Sequence, residues 1–186
     1  ISIEHTFLQS GMSQTQAIRD ALTDFKESGK FIYAYHDFYT QKDYYFASVA
    51  DSVFVHPEGS VDISGLASEV LYLKEFQDIT GVHMQVIRNG AYKSAVEPFL
   101  SDEMSDENRQ QIKSLLDSFW KEMLVKMEER TALNSEKINQ IASNLDASVA
   151  ANAVKIGVVD NTLLRNEYKE LLKNQMELGE DDKLNT

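Results

Sequence analysis

The 186-residue sequence predicts an α/β fold of βαβ units with a helical C-terminal extension, and three observations carry that expectation. In the first half, short apolar and aromatic runs alternate with amphipathic stretches. That is the pattern of strands joined by crossover helices in a largely parallel sheet. In the second half, apolar residues recur every three or four positions over a span too long for a strand. Apolar residues make up 42% of the chain, enough for a core, and two prolines with eight glycines leave no long linker.

The elements follow in order. Ser13 is the expected N-cap of a helix over residues 14–28, with Gly29 at its C′ position. Ile18, Leu22 and Phe25 form its apolar stripe, spaced by four and three. Residues 31–35 are short, apolar and aromatic, as in a buried strand. A helix is expected over 42–50 and a second strand over 52–56, closed by Pro57-Glu58-Gly59. Leu66, Val70, Leu73 and Phe76 share one face of a helix over 66–79, which Gly81 stops. Residues 82–88 read as a third strand, ended by Asn89-Gly90.

Ser105 is the expected cap of a long helix over 106–130, with Ile112, Leu115, Leu116, Phe119, Met123 and Met127 as its buried stripe. Shorter helices are expected over 135–144, 147–155 and 163–178, with a strand or turn at Gly157-Val158-Val159-Asp160. The polar tail 179–186 should fray. The expected organisation is an α/β core over 1–130 and a helical extension over 131–186 packed on the same domain.

Composition excludes several functions. The net charge of −12 repels phosphate backbones, so nucleic acid is not an expected partner. Without cysteine there is no disulfide, thiol nucleophile or cysteine-ligated metal. No apolar run approaches the roughly 18–20 residues that span a bilayer. The opening Ile1-Ser2-Ile3-Glu4-His5 carries no basic region of a signal peptide. The four histidines, His5, His36, His56 and His83, show no metal-ligand spacing and read as strand-end or core-edge residues. The acidic residues Asp102, Glu103, Asp106 and Glu107 suit a helix N-terminus. There is no nucleophile elbow, P-loop or dinucleotide fingerprint, and no cofactor or metal is expected.

One segment stands apart: Asn89-Gly90-Ala91-Tyr92-Lys93-Ser94-Ala95-Val96-Glu97-Pro98-Phe99. It follows an expected buried strand, and the end of such a strand is where α/β folds present chemistry. By pattern alone, Lys93 reads more readily as an ordinary solvated lysine, and periodicity does not carry a catalytic role. Gly90–Phe99 closely resembles the lysine motif of the long, two-domain signal peptide peptidase A (protease IV) proteins. Ser28-Gly29-Lys30-Phe31-Ile32-Tyr33-Ala34-Tyr35 is similar to that family's helix-to-strand passage. Tyr44-Tyr45-Phe46-Ala47-Ser48-Val49-Ala50-Asp51 resembles its YYLAS-x-A-(D/N) helix. Pro57 and Gly59 fit its strand-end turn, and Gly157-Val158-Val159-Asp160 fits its late G-L-V-D. The likeness spans about residues 12 to 176.

The resemblance implies a fold related to Clp protease and crotonase. It implies the N-terminal half of a serine protease with a Ser–Lys dyad, in which Lys93 is the general base. The nucleophilic serine belongs to a C-terminal half, in a motif like S-G-G-Y-Y. It further implies a tetramer anchored to the bacterial cytoplasmic membrane, and substrates that are cleaved signal peptides and other apolar peptides. By pattern Phe38-Tyr39 and Tyr44-Tyr45-Phe46 read as half-buried packing; the apolar substrates that the resemblance implies give Tyr39, Tyr44 and Tyr45 the alternative of facing the cleft.

One departure bears on mechanism. Before Tyr44-Tyr45 the chain has Thr40-Gln41-Lys42-Asp43, so Gln41 stands where short family members carry serine, and neither glycine is present. A side-chain amide is no nucleophile. Ser94 adjoins Lys93, and on an extended segment it would point away. The fragment is therefore expected to be inactive alone. The competing readings are a catalytically idle assembly module of the same fold and a crotonase-like acyl-CoA enzyme, though nothing marks the carboxylate base the latter needs. Trp120 and the methionines of the long helix suit irregular apolar contacts, so self-association is expected.

Overall fold

The computed structural model describes residues 1–4, 7–85, 94–179, 182 and 184. Its elements run β1 (Ser2–Ile3), α1 (Met12–Lys26), β2 (Tyr33–Tyr39), α2 (Gln41–Ala47), β3 (Ser52–Val61) and α3 (Lys74–Thr80). A 3₁₀ turn (Ser94–Val96) leads into α4 (Glu97–Leu100), α5 (Asp106–Thr131), α6 (Ser135–Asn144), α7 (Ala150–Lys155), β4 (Asn161–Thr162) and α8 (Arg165–Gln175). The chain divides into two compact units, Ile1–Gly65 with Met123–Thr186, and Leu66–Glu122. They part at 65/66 and 122/123.

The first unit holds a parallel sheet in the order β1-β2-β3-β4. The expected α/β class is what it shows. Tyr35 stacks on Tyr168 of α8 with ring centres 4.8 Å apart, and Phe54 and Leu172 complete that cluster. Tyr168 also shares a 2.7 Å hydrogen bond with the Ser2 hydroxyl. Helix α8 is thereby fixed across the faces of β1, β2 and β3.

Strand β3 runs on through Pro57-Glu58-Gly59 instead of ending there. Its register with β2 shifts between His36↔Val55 and Phe38↔Ser60, so Pro57 lies in an irregular stretch where no ladder N–H is demanded of it. Gly59 lets the strands meet: a Cβ there would lie 2.1 Å from the Asp37 carbonyl oxygen.

Helix α1 corrects the expected stripe. Its buried residues are Thr15 and Arg19, whereas Ile18 is 43% exposed. Polar bonding chooses the face. The Arg19 guanidinium donates to the carbonyls of Tyr45 and Phe46 and, at 2.8 Å, to Ser48 Oγ, closing the C-terminal end of α2. Its charge also lies 4.6 Å from the centre of the Tyr45 ring. The cap is Gly11 rather than Ser13.

In the second unit, residues 66–73 are not helical. Helix α3 begins at Lys74 and ends at Gly81, whose φ is +70°. The expected apolar face is not buried: Phe76 is 62% exposed. Residues 82–85 form no strand, and 86–88 lie outside the described residues. Gln77 takes the backbone bonding instead, accepting from Met84 N at 2.6 Å and donating to the Phe99 carbonyl at 2.9 Å. The cap of α5 is as expected, with Asn108 N donating to Ser105 Oγ at 3.2 Å. Of the expected α5 stripe, Met123 and Met127 are buried, while Leu115 and Phe119 are exposed.

Candidate functional site

In a parallel sheet, ligands meet the carboxyl ends of the strands. Here that edge is formed by the ends of β2 and β3, joined by Asp62 N donating to the Tyr39 carbonyl at 2.8 Å. Thr40 then turns the chain into α2. Its hydroxyl accepts from Asp43 N, and the Asp43 carboxylate accepts from the Thr40 N–H and hydroxyl, closing a capping box. This fixes Gln41 at the first helical position.

Gln41 is buried, and three hydrogen bonds hold its amide. Its Oε1 accepts from the backbone N–H groups of Ser64 at 2.9 Å and Gly65 at 2.7 Å, and its Nε2 donates to the Gly65 carbonyl at 2.9 Å. The residue at the serine position is thus a clamp on the loop after β3. It offers neither a hydroxyl nor an open approach.

The aromatic residues do not line a cleft. Tyr39, Tyr44 and Tyr45 are all buried, which corrects the cleft alternative. The Tyr39 hydroxyl donates to the Phe54 carbonyl at 2.9 Å, and Tyr44 donates to the Val158 carbonyl at 2.6 Å. Burial pushes both phenols well above their ordinary titration range, so neither is an acid or base near neutral pH.

Lys93 lies outside the described residues, as do Gly90, Ala91 and Tyr92. The Glu-Pro-Phe end of its motif is described. Glu97 is buried and accepts from Ser105 Oγ and, at 2.8 Å, from Asn108 Nδ2, while the Pro98 carbonyl accepts from Leu73 N at 2.7 Å. Glu97 therefore anchors the start of α5. Residues 94–96 form a 3₁₀ turn rather than an extended run.

Of the histidines, His36 is buried in β2 beside Tyr39, with ring centres 5.0 Å apart. His56 Nδ1 accepts from Glu58 N at 3.1 Å, and His83 is exposed; His5 lies outside the described residues. Among the described residues, no group of three or more potential ligands is arranged for a metal. Among them too, no helix is long and apolar enough to cross a membrane.

Sequence reasoning passed over a set of polar residues at the opposite, amino ends of the strands. Asp51 accepts from Ile32 N at 2.8 Å and pairs with Lys26 at 2.8 Å. Asp160 accepts from Val53 N at 2.7 Å and pairs with Arg130. Burial alone would push the Asp51 carboxyl up; the Lys26 ammonium and the Ile32 N–H outweigh it and hold it below its ordinary range. Lys26, Asp51 and Arg130 line a polar cleft of about 360 Å³ together with Arg19, Ser48 and Glu129. The Lys26–Asp51 and Arg130–Asp160 pairs secure the starts of the strands, which is structural work. The signal was in the sequence: Asp51 and Asp160 each close a motif quoted for the resemblance.

Residues 24–179 match the model of peptidase family S49. Over 175 residues the chain is 35% identical to Protease 4 of Haemophilus influenzae, covering 90% of this chain and 28% of that protein. It is 40% identical over 107 residues to Protease 4 of Salmonella typhi, covering 58% of this chain and 17% of the relative. It is 26% identical over 179 residues to a chloroplastic serine protease SPPA of Arabidopsis thaliana, covering 96% of this chain and 26% of that protein. The chain thus spans about a quarter of the length of the relatives that it matches along most of its own.

Proposed function

The chain belongs to peptidase family S49, the family of the signal peptide peptidase A resemblance, and from that premise we propose that it is the lysine-bearing half of a membrane-associated bacterial serine protease. The observation that carries this reading is Gln41. At the serine position stands a buried amide with all three of its described bonds made to the Ser64–Gly65 backbone. A half so built has no nucleophile there, and a serine must come from elsewhere in a longer protein. The short coverage of the relatives supports the same conclusion.

In this mechanism a serine of the C-terminal half attacks the peptide carbonyl. Neutral Lys93 takes its proton and returns it to the leaving amine. An ordinary lysine titrates near 10.4, so deprotonating it at neutral pH costs about 4 kcal/mol. A dry setting lowers that cost, because desolvation disfavours the ammonium. The proposal places that setting in the assembled protein, where the two halves meet. The membrane anchor lies outside this chain, the substrates are apolar signal-peptide remnants, and the assembly is a homo-oligomer. Exposed apolar side chains on α3 and α5 support the need for partners.

The test uses the full-length protein. Lys93→Met should lower kcat/KM by about 10²-fold or more, the typical share of general acid–base catalysis. Lys93→Arg should fail as well, because a guanidinium stays protonated. Circular dichroism and gel filtration serve as controls on fold and assembly. A well-folded variant that keeps more than about a tenth of the activity, a loss below about 1.4 kcal/mol, would remove Lys93 as the base.

A further inference from the structure

We propose that Ser64 and Gly65 form a cradle for the backbone amide of an extended peptide, and that Gln41 is a built-in plug that fills it in this half. The ligand class rests on the peptidase reading above; the cradle itself rests on geometry alone.

The plug presents its amide oxygen as a peptide carbonyl would. Its oxygen takes two N–H groups, from Ser64 at 2.9 Å and Gly65 at 2.7 Å, and its NH₂ returns a bond to the Gly65 carbonyl at 2.9 Å. Gly65 therefore donates to and accepts from one and the same amide. A trans peptide unit directs its N–H and carbonyl oppositely, so a bound backbone would keep the two bonds to its oxygen and turn its own N–H away from Gly65. Two convergent N–H groups at these distances also suit a carbonyl oxygen better than one donor does.

The surroundings fit a cradle more than a core. Gln41 is 8% exposed, yet Ser64 is exposed and Gly65 half-buried. A Cβ built on Gly65 would meet nothing within 4 Å, so the far side of the loop is open. Gly65 has φ +83°, a left-handed conformation that turns its N–H and carbonyl toward the same amide at little cost to glycine. The edge also lies at the carboxyl ends of β2 and β3, where this class of sheet places ligands.

Vacating the plug tests it. The whole chain, labelled with ¹⁵N, is titrated with N-methylacetamide and separately with an end-blocked apolar peptide, in wild type, Gln41→Ala and Gln41→Ser. In wild type the Ser64 and Gly65 amide resonances should stay put. In both variants they should move most of all, and the peptide should bind about tenfold tighter than to wild type, because one intramolecular amide no longer competes. Gln41→Met, which fills the space without polar atoms, should bind neither ligand. Folded variants whose Ser64 and Gly65 amides respond to neither ligand would overturn the cradle. Unfolding of both short variants would make Gln41 a strut and overturn the plug. A response to N-methylacetamide without one to the peptide would keep the cradle and overturn the peptide as its ligand, which also counts against the peptidase reading. None of these readouts needs the dyad, so the fate of the Lys93 variants decides nothing here.

Discussion

In the sheet unit, Tyr35, Tyr39, Tyr44, Tyr45 and Tyr168 are all buried, and the hydroxyls of Tyr39, Tyr44 and Tyr168 each reach a hydrogen-bond partner. In the Leu66–Glu122 unit, Leu71, Phe76, Ile79 and Val82 all stand in solvent. The interior of that second unit is instead polar: Gln77, Glu97 and Asn108 are its buried polar residues, each bonded within it. A buried aromatic with its hydroxyl satisfied contributes apolar area without a desolvation penalty. An exposed run of large apolar residues contributes little to a lone chain and marks a surface for contact. The sheet unit is therefore expected to hold the chain's own stability, and the second unit to depend on what it meets.

The largest test of the contrast is Tyr168→Ala. It removes the stack on Tyr35, the contact with Phe54 at 5.7 Å between ring centres, and the bond to Ser2. An aromatic deleted from a packed core costs about 3–5 kcal/mol. Chemical denaturation should show a loss of that size, and a loss below about 1 kcal/mol would mean that α8 is not held by this cluster.

How much of this was legible follows the same division. The alternation of apolar runs and helices foretold the parallel pair of β2 and β3, because Tyr33–Tyr39 and the start of Ser52–Val61 are apolar and a helix lies between them; β1 and β4, two residues each, carry no such run. Ser105 was legible as a cap, and 135–144 as a helix, because both depend on neighbours a few residues away. What failed depends on distant partners. Ile18, Leu22 and Phe25 carry the periodicity, but the Arg19 guanidinium turns α1 toward the carbonyls of α2. Packing of Tyr39 and Tyr44 was legible from pattern, but a sequence does not show that the Phe54 and Val158 carbonyls wait for their hydroxyls, which is what removes the cleft alternative. By sequence Gln41 reads as an amide where the resemblance expects serine. Its role as a clamp was not legible, since Ser64 and Gly65 lie more than twenty positions away and carry no motif.

A middle-sized effect is expected at Asp51. Its folded carboxyl gives up a proton more readily than the ordinary value of 3.8 implies. The stability it contributes is thus present above that value and is lost as pH falls through the folded pKa. Asp51→Asn keeps an oxygen for Ile32 N and removes only the charge. Both members of the Lys26 pair are more than a third exposed, so water screens it, and the loss at pH 7 should be about 0.5–1 kcal/mol. Below the ordinary carboxylate range the two proteins should converge. Denaturation midpoints followed from neutral to acid pH check this; parallel curves that never converge would assign the stabilisation to the bond with Ile32 instead.

The smallest effect on the lone chain is expected at Ile79 and Leu71, which are 78% and 77% exposed. Replacing both with serine removes apolar area that the chain has not buried. Surface changes of this kind usually shift stability by no more than about 0.5 kcal/mol each. The urea midpoint should therefore barely move, while solubility should rise as an apolar patch is broken up. In the full-length protein the same pair is expected to weaken assembly, read by sedimentation velocity at matched concentrations. A contact made there and absent from the lone chain would give this split, whereas a core role would lower both readouts together. A double variant that unfolds the isolated chain by more than about 1 kcal/mol would place these residues in a core, and the contrast between the two units would fail at its own chosen residues.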